Sequence, residues 1–159
     1  MTKRIASEQA VEHAWKYFEL HSNQRITMFN YYLFIMAGLA TAIGVTLQTS
    51  KNFAYIGVLL CIIAVIVSII FWKLDQRTSF LIKQSEAVFK KLERNSDIDI
   101  GIFCNEESTL AKSNEKRFFL NKIVTYGTLF RSIFLISGVI GALGVIVFFL
   151  IIMEYIILK

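Results

Sequence analysis

The chain has 159 residues, of which 55% are hydrophobic, with no proline and a net charge of +5. A mean hydropathy of +0.56 argues against an ordinary soluble domain, whose composition is seldom so apolar. The basic balance is weak evidence for nucleic acid, because the central segment mixes its cations with eight acids and membrane topology alone calls for cations there.

Residues 1–27 form a polar arm. Ser7 is a plausible N-cap, with Glu8 placed to favour the helix dipole. Ala10, Ala14, Tyr17, Phe18 and His21 recur at helical spacing, and no Gly or Pro interrupts them. The pattern predicts a helix running into the first apolar block. No short apolar stretch follows Lys3 and Arg4 closely, so a cleaved signal peptide is not expected.

Residues 28–72 read as a transmembrane hairpin. Met28–Gln48 and Phe53–Trp72 are each long enough to cross a bilayer, which takes about 20 apolar residues. Thr49-Ser50-Lys51-Asn52 between them is short and polar, which forces an antiparallel pair. Buried core helices of a soluble protein would show a polar face, and these blocks carry no charge.

Residues 73–132 form a charged segment. Leu74, Leu81, Ile82, Val88, Phe89 and Leu92 make one stripe, with Asp75, Lys83, Glu86, Lys90 and Arg94 mostly off it. The helix is predicted to end near Asn95-Ser96. Asp97–Phe103 alternates in a strand-like way, and Asn105–Asn114 reads as a polar loop. Phe119, Ile123, Tyr126 and Phe130 resume helical spacing, so Glu115–Arg131 is predicted to be helical and to enter the last block directly. With the arm, this segment suggests a short bundle of three helical extensions.

Residues 133–159 hold the third span and a short tail, with Glu154 near the far end. The fold class expected is therefore an all-α integral membrane protein with three transmembrane helices. The arm holds four Lys or Arg and the central segment eleven, against one in the hairpin turn and one in the tail. The positive-inside rule then places the N-terminus and central segment in the cytoplasm and the C-terminus outside. The location expected is a bacterial inner membrane, crossed several times.

Chemistry is sparse. No nucleophile, metal or phosphate-loop motif is present, so an enzyme is not expected and no cofactor or metal is assigned. Cys61 and Cys104 lie in a span and in the charged segment, and read as free thiols. Asp97, Asp99, Glu106 and Glu107 read as a solvated loop. A hairpin centred between Ser50 and Lys51 brings Arg25 level with Asp75–Arg77, His21 near Phe80 and Trp15 near Glu86. His21, Arg25, Asp75, Arg77 and Glu86 thus form a candidate latch at the inner interface. Arg25 and Asp75 are positioned for an ion pair that either fixes the hairpin's pitch or couples a signal to the spans. His21 invites a proton-switch reading, although a lone histidine on a helix is more often a packing residue.

Small residues mark close-packing faces: Gly38 and Ala42 in the first span, and Ser137, Gly138, Gly141 and Gly144 in the third. They serve packing within a subunit or between copies, and their number favours a homo-oligomer. Glu154 is either a terminal charge reaching the interface or one member of a carboxylate ring at an outer pore mouth.

Two stretches carry a family resemblance. They are Tyr17-Phe18, Gln24-Arg25 and Phe29-Asn30 before the hairpin, and Leu74-Asp75-Gln76-Arg77, Leu81-Ile82 and Glu86 after it. Over roughly residues 7–95 the layout resembles the SLATT-type two-span modules of bacterial conflict and anti-phage systems. The resemblance implies an effector that oligomerises and breaches the inner membrane after a partner senses infection. It leaves Asp97–Lys159 and the third span unaccounted for. The function expected is an oligomeric membrane effector that disrupts or gates the membrane on a cytoplasmic signal. Its expected partners are membrane lipids, further copies of itself and a cytosolic protein encoded alongside. A membrane anchor that recruits a cytosolic enzyme is the alternative.

Overall fold

The structure, a computed structural model, describes residues 2–48, 51–95, 101–118 and 121–155. Four α-helices follow one another: α1 (Thr2–Gln48), α2 (Ala54–Arg94), α3 (Ile102–Glu115) and α4 (Tyr126–Ile152). A 3₁₀ turn at Lys51–Phe53 precedes α2. Among the described residues there is no strand. Three helices, α1, α2 and α4, are long and apolar enough to cross a membrane, and their most apolar windows have mean hydropathies of 1.6, 3.0 and 2.9. The all-α, three-span expectation is met.

Several predicted boundaries are corrected. α1 begins at Thr2, so Ser7 lies inside the helix and does not cap it. Residues 105–114, read as a polar loop, are most of α3. Ile102 and Phe103 also belong to α3, while residues 97–100 of the strand-like stretch lie outside the described residues. Conversely, no α-helix covers the described residues from Lys116 to Thr125, and α4 starts only at Tyr126. The end of α2 at Arg94 agrees with the predicted stop.

The chain divides into two compact units, with boundaries at 25/26, 75/76 and 126/127. The membrane unit holds residues 26–75 and 127–159. In hydrocarbon no hydrophobic force draws helices together, so close packing and polar contacts must do so. One core cluster is aromatic: Tyr32, Phe130 and Phe134 are buried, with Phe29, Phe71 and Trp72 against them. Phe29 stacks on Phe130 at 4.0 Å between centroids, and Tyr32 meets Phe134 edge-on at 4.6 Å. Such pairs contribute about 0.5–1.5 kcal/mol each beyond contact area. The second cluster, Ala54, Cys61, Phe148 and Ile151, lies towards the hairpin turn.

The charged unit holds residues 1–25 and 76–126. Its centre is an aromatic knot of Trp15, Phe18, Phe89 and Phe103, in which Phe89 stacks on Phe103 at 4.9 Å. The third helix of this unit is α3, not the predicted extension of the last span. Its N-cap is Gly101, with φ of 54° and no side chain to offer. Glu93 of α2 takes over that role. One carboxylate oxygen accepts the Phe103 N–H at 3.0 Å and the other accepts the Cys104 N–H at 2.8 Å.

Candidate functional site

The site is built where the second and third spans meet. Asp75 follows Trp72 by three residues and is 3% exposed, which corrects its expected place off the buried face of α2. The buried positions of this part of the helix are Asp75, Thr78, Ser79, Ile82, Ser85 and Phe89. They share one face at helical spacing. Most are small or polar, so hydropathy does not mark them.

A carboxylate removed from water needs a charged or hydrogen-bonded partner. Arg131 of α4 supplies one, donating from Nε to Asp75 Oδ2 at 3.1 Å. The two side chains are 39% and 4% exposed, so the arginine is half in solvent while the aspartate is enclosed. Arg131 stands two residues before Ile133, the start of the third apolar block. A buried charge pair therefore ties α2 to α4 at the foot of the membrane unit.

A second polar contact lies deeper. Tyr32 of α1, fully buried, shares a 3.1 Å hydrogen bond between its hydroxyl and Ser68 Oγ of α2. Ser68 in turn donates to the Ala64 carbonyl at 2.9 Å. Together the two contacts link α2 to both neighbouring spans.

The other predicted latch residues are placed as follows. Arg25 is half-buried and Arg77 exposed. His21 is half-buried and engaged along its own helix, with Nδ1 3.2 Å from Gln24 Oε1 and its ring 4.3 Å from that of Tyr17. Glu86 is half-buried; burial pushes its carboxyl above the usual range, helped by Glu106 and Glu107 and opposed by Lys90 and Lys83. Trp15 packs on Phe89, three residues beyond the Glu86 that the hairpin register predicts. Arg25, Asp75 and Arg77 flank the unit boundaries in sequence.

The small residues of α4 have work within the subunit. A Cβ at Gly141 would lie 3.0 Å from Val65 and 3.3 Å from the Cys61 carbonyl, and one at Gly144 would lie 2.7 Å from Cys61 Sγ. A Cβ at Gly138 would meet Ser68 at 3.5 Å. On α2, Gly57 accommodates the ring of Phe148, which a Cβ there would strike. Gly38 of α1, by contrast, has nothing within 4 Å of a Cβ position. An apolar groove of about 540 Å³ separates α1 from α4, lined among others by Ala40, Gly44, Ser137 and Gly144. Ala42 is half-buried.

Glu154 is exposed and has φ of 65°. Tyr155 N–H donates to Leu150 O at 3.0 Å and Glu154 N–H to Ile151 O at 3.1 Å. These bonds form a Schellman cap whose left-handed position glycine usually occupies. Among the described residues, no group of three or more His, Cys, Asp or Glu side chains is arranged to hold a metal ion.

The sequence alone did not single out Arg131, Tyr32, Ser68 or Glu93. Arg131 had a detectable sign: it lies as close to the start of its apolar block as Asp75 lies to the end of another.

Compared with known families, residues 8–154 match the model of the octameric membrane protein family. The chain belongs to the octameric membrane protein family. The match includes α4, so the third span left over by the two-span resemblance is part of this family's pattern. A curated relative, CD-NTase-associated protein 19 of Escherichia coli, is 41% identical over 146 residues, covering 89% of this chain and 92% of that protein. No solved structure matches the chain. Membership supports the expected multi-pass membrane location and the expected homo-oligomer.

Proposed function

We propose that the chain is an effector of bacterial anti-phage defence that assembles in the inner membrane as eight copies and gates or disrupts it when its cytoplasmic unit receives a signal. The number of copies comes from the family's description. The setting comes from the relative, whose name associates it with a CD-NTase. A cytosolic protein of that kind, encoded alongside, is the proposed source of the signal. The cation distribution supports an N-terminus and charged unit in the cytoplasm and a C-terminus outside.

The observation that carries the reading is the Asp75–Arg131 pair, whose carboxylate is buried. Buried ion pairs add little net stability but make a strong distinction between intact and broken arrangements. A pair at the foot of the spans, in sequence next to the charged unit, is a natural element for a latch. His21, Arg25, Arg77 and Glu86, all of the charged unit, are the residues proposed to pass the signal on. Gly38 and Ala42 offer close approach to a neighbouring copy, and Glu154 contributes to an outer ring of carboxylates.

The test is infection of cells that carry the complete defence locus, with membrane depolarisation followed by a potential-sensitive dye. The chain should depolarise cells only after infection. Asp75→Asn and Arg131→Gln should either release depolarisation without infection or abolish it, while the protein still inserts. Wild-type timing in both variants would sink the latch. A stable complex with a soluble enzyme, without any depolarisation, would favour the anchor reading.

A further inference from the structure

The connection between α3 and α4 is closed by one side chain. Asn114, in the last turn of α3, accepts the Ile123 N–H on Oδ1 at 2.8 Å and donates from Nδ2 to the Ile123 carbonyl at 2.9 Å. Arg117 N–H donates to the Asn114 carbonyl at 3.2 Å, and Asn121 N–H donates to the Phe118 carbonyl at 2.9 Å. Arg117 Nη1 reaches the Asn121 carbonyl at 3.4 Å. The backbone's polar groups are thus turned inward at several points of the loop.

The side chains of its described residues 116–118 and 121–124 are exposed. Phe118 is 75% exposed, Val124 55% and Ile123 46%, and Tyr126 at the start of α4 is 75% exposed. Lys116, Arg117 and Lys122 are exposed beside them. No acid occurs between Glu115 and Glu154 in the sequence. Exposed aromatic and aliphatic groups interleaved with cations suit the boundary between lipid headgroups and acyl chains.

The chain itself brings the loop to that boundary. At about 1.5 Å per residue, Tyr126 lies only about 10 Å along α4 from Ile133, where the apolar block begins. A bilayer of roughly 40–45 Å with a hydrocarbon core of about 30 Å leaves about 5–8 Å of headgroup layer on each side, so Tyr126 stands at the outer edge of that layer, and tilt of α4 brings it closer.

We propose that residues 116–118 and 121–124 form an anchor for the anionic leaflet, in which Phe118, Ile123 and Val124 enter the headgroup layer while Lys116, Arg117 and Lys122 hold lipid phosphates. Asn114 is its positioning residue. The proposal rests on the reading of α4 as a span. A leaflet is favoured over a soluble acidic partner because the loop is covalently continuous with a helix that crosses the membrane.

Nitroxide accessibility on the full-length chain tests it. The background is Cys61→Ala with Cys104→Ser, and the probes are single cysteines at Phe118→Cys, Lys112→Cys and Leu143→Cys. Vesicles are phosphatidylcholine alone or mixed with phosphatidylglycerol. With the anionic lipid, the label at 118 should become reachable by oxygen and several-fold less reachable by an aqueous nickel chelate. Lys116→Gln with Lys122→Gln should reverse that several-fold change, and Asn114→Ala should reverse part of it. The label at 112 should stay aqueous and the label at 143 should stay in lipid. An aqueous label at 143 would overturn the span reading. A lipid-exposed label at 143 with an aqueous label at 118 in both vesicles would overturn the anchor alone. Protection of 118 only when acidic protein or RNA is added would also overturn it.

Discussion

The Asp75–Arg131 pair joins an enclosed carboxylate to a guanidinium that is half in solvent. Asp75→Asn leaves Arg131 a cation that water still reaches, whereas Arg131→Gln leaves a charged carboxylate without that guanidinium. The second change should therefore cost more. Breaking a buried pair costs several kcal/mol, but solvent screening of Arg131 reduces the expectation to about 1–3 kcal/mol. The measurement is thermal unfolding in detergent of both single variants and of Asp75→Asn with Arg131→Gln. The double variant should recover part of the loss; purely additive effects would show that the two side chains are not coupled. Glu154 shows a different economy. A glutamate in a left-handed cap position forgoes the ease that glycine offers there, so the end of α4 is not optimised for its own stability.

At the level of elements, α3 depends on another helix for its beginning. Burial alone would raise the Glu93 carboxyl, but the Phe103 and Cys104 amides that it accepts outweigh this and hold it below the usual carboxylate range. A lowered folded-state value means that the stabilisation is present above the ordinary range and is lost as pH falls through the lowered value. The protection of the Phe103 and Cys104 amides, their exchange rate relative to that of an unstructured chain at the same pH, should therefore fall on acidification. Glu93→Gln should make that protection nearly independent of pH over the same interval. An unchanged pH dependence in that variant would rule out the carboxylate as the cap. For α4, Gly141→Leu should force the helix off α2 and cost about 1–3 kcal/mol through overpacking. Gly38→Leu should leave the subunit's unfolding unchanged, because nothing stands near that Cβ. If Gly38 faces a neighbouring copy, the same variant should shift the assembly's mass in native mass spectrometry.

The apolar blocks were legible because length and hydropathy suffice to find them. The course of the charged segment was not. α3 has a mean composition close to a loop's, with Asn105, Ser108, Ser113 and Asn114 among its residues, and it is held by Glu93 from outside. The expected helix before α4 fails because Asn114 fastens Ile123 from a distance, a contact that no local pattern announces. Within the candidate site, Asp75 was found by its position at the end of a span. Arg25 was placed level with it because hairpin geometry can be counted along the chain. Arg131 is 56 residues away in sequence, and only the packing of α4 brings it near.

For the whole molecule, topology and assembly are separable from function. In intact cells, a cysteine at Lys112→Cys should be shielded from an impermeant thiol reagent and one at Tyr155→Cys should react, both in a Cys104→Ser background. The reverse pattern would invert the proposed orientation. The purified protein should have the mass of eight copies.

The same ion pair has a consequence for how the chain is made. Asp75 emerges from the ribosome with the hairpin, well before Arg131 is translated. Until α4 arrives, the hairpin carries a carboxylate at the membrane boundary without the guanidinium that later meets it. A chain truncated before Arg131 would lack this link between α2 and α4, a physical difference by which unfinished copies could be told from complete ones.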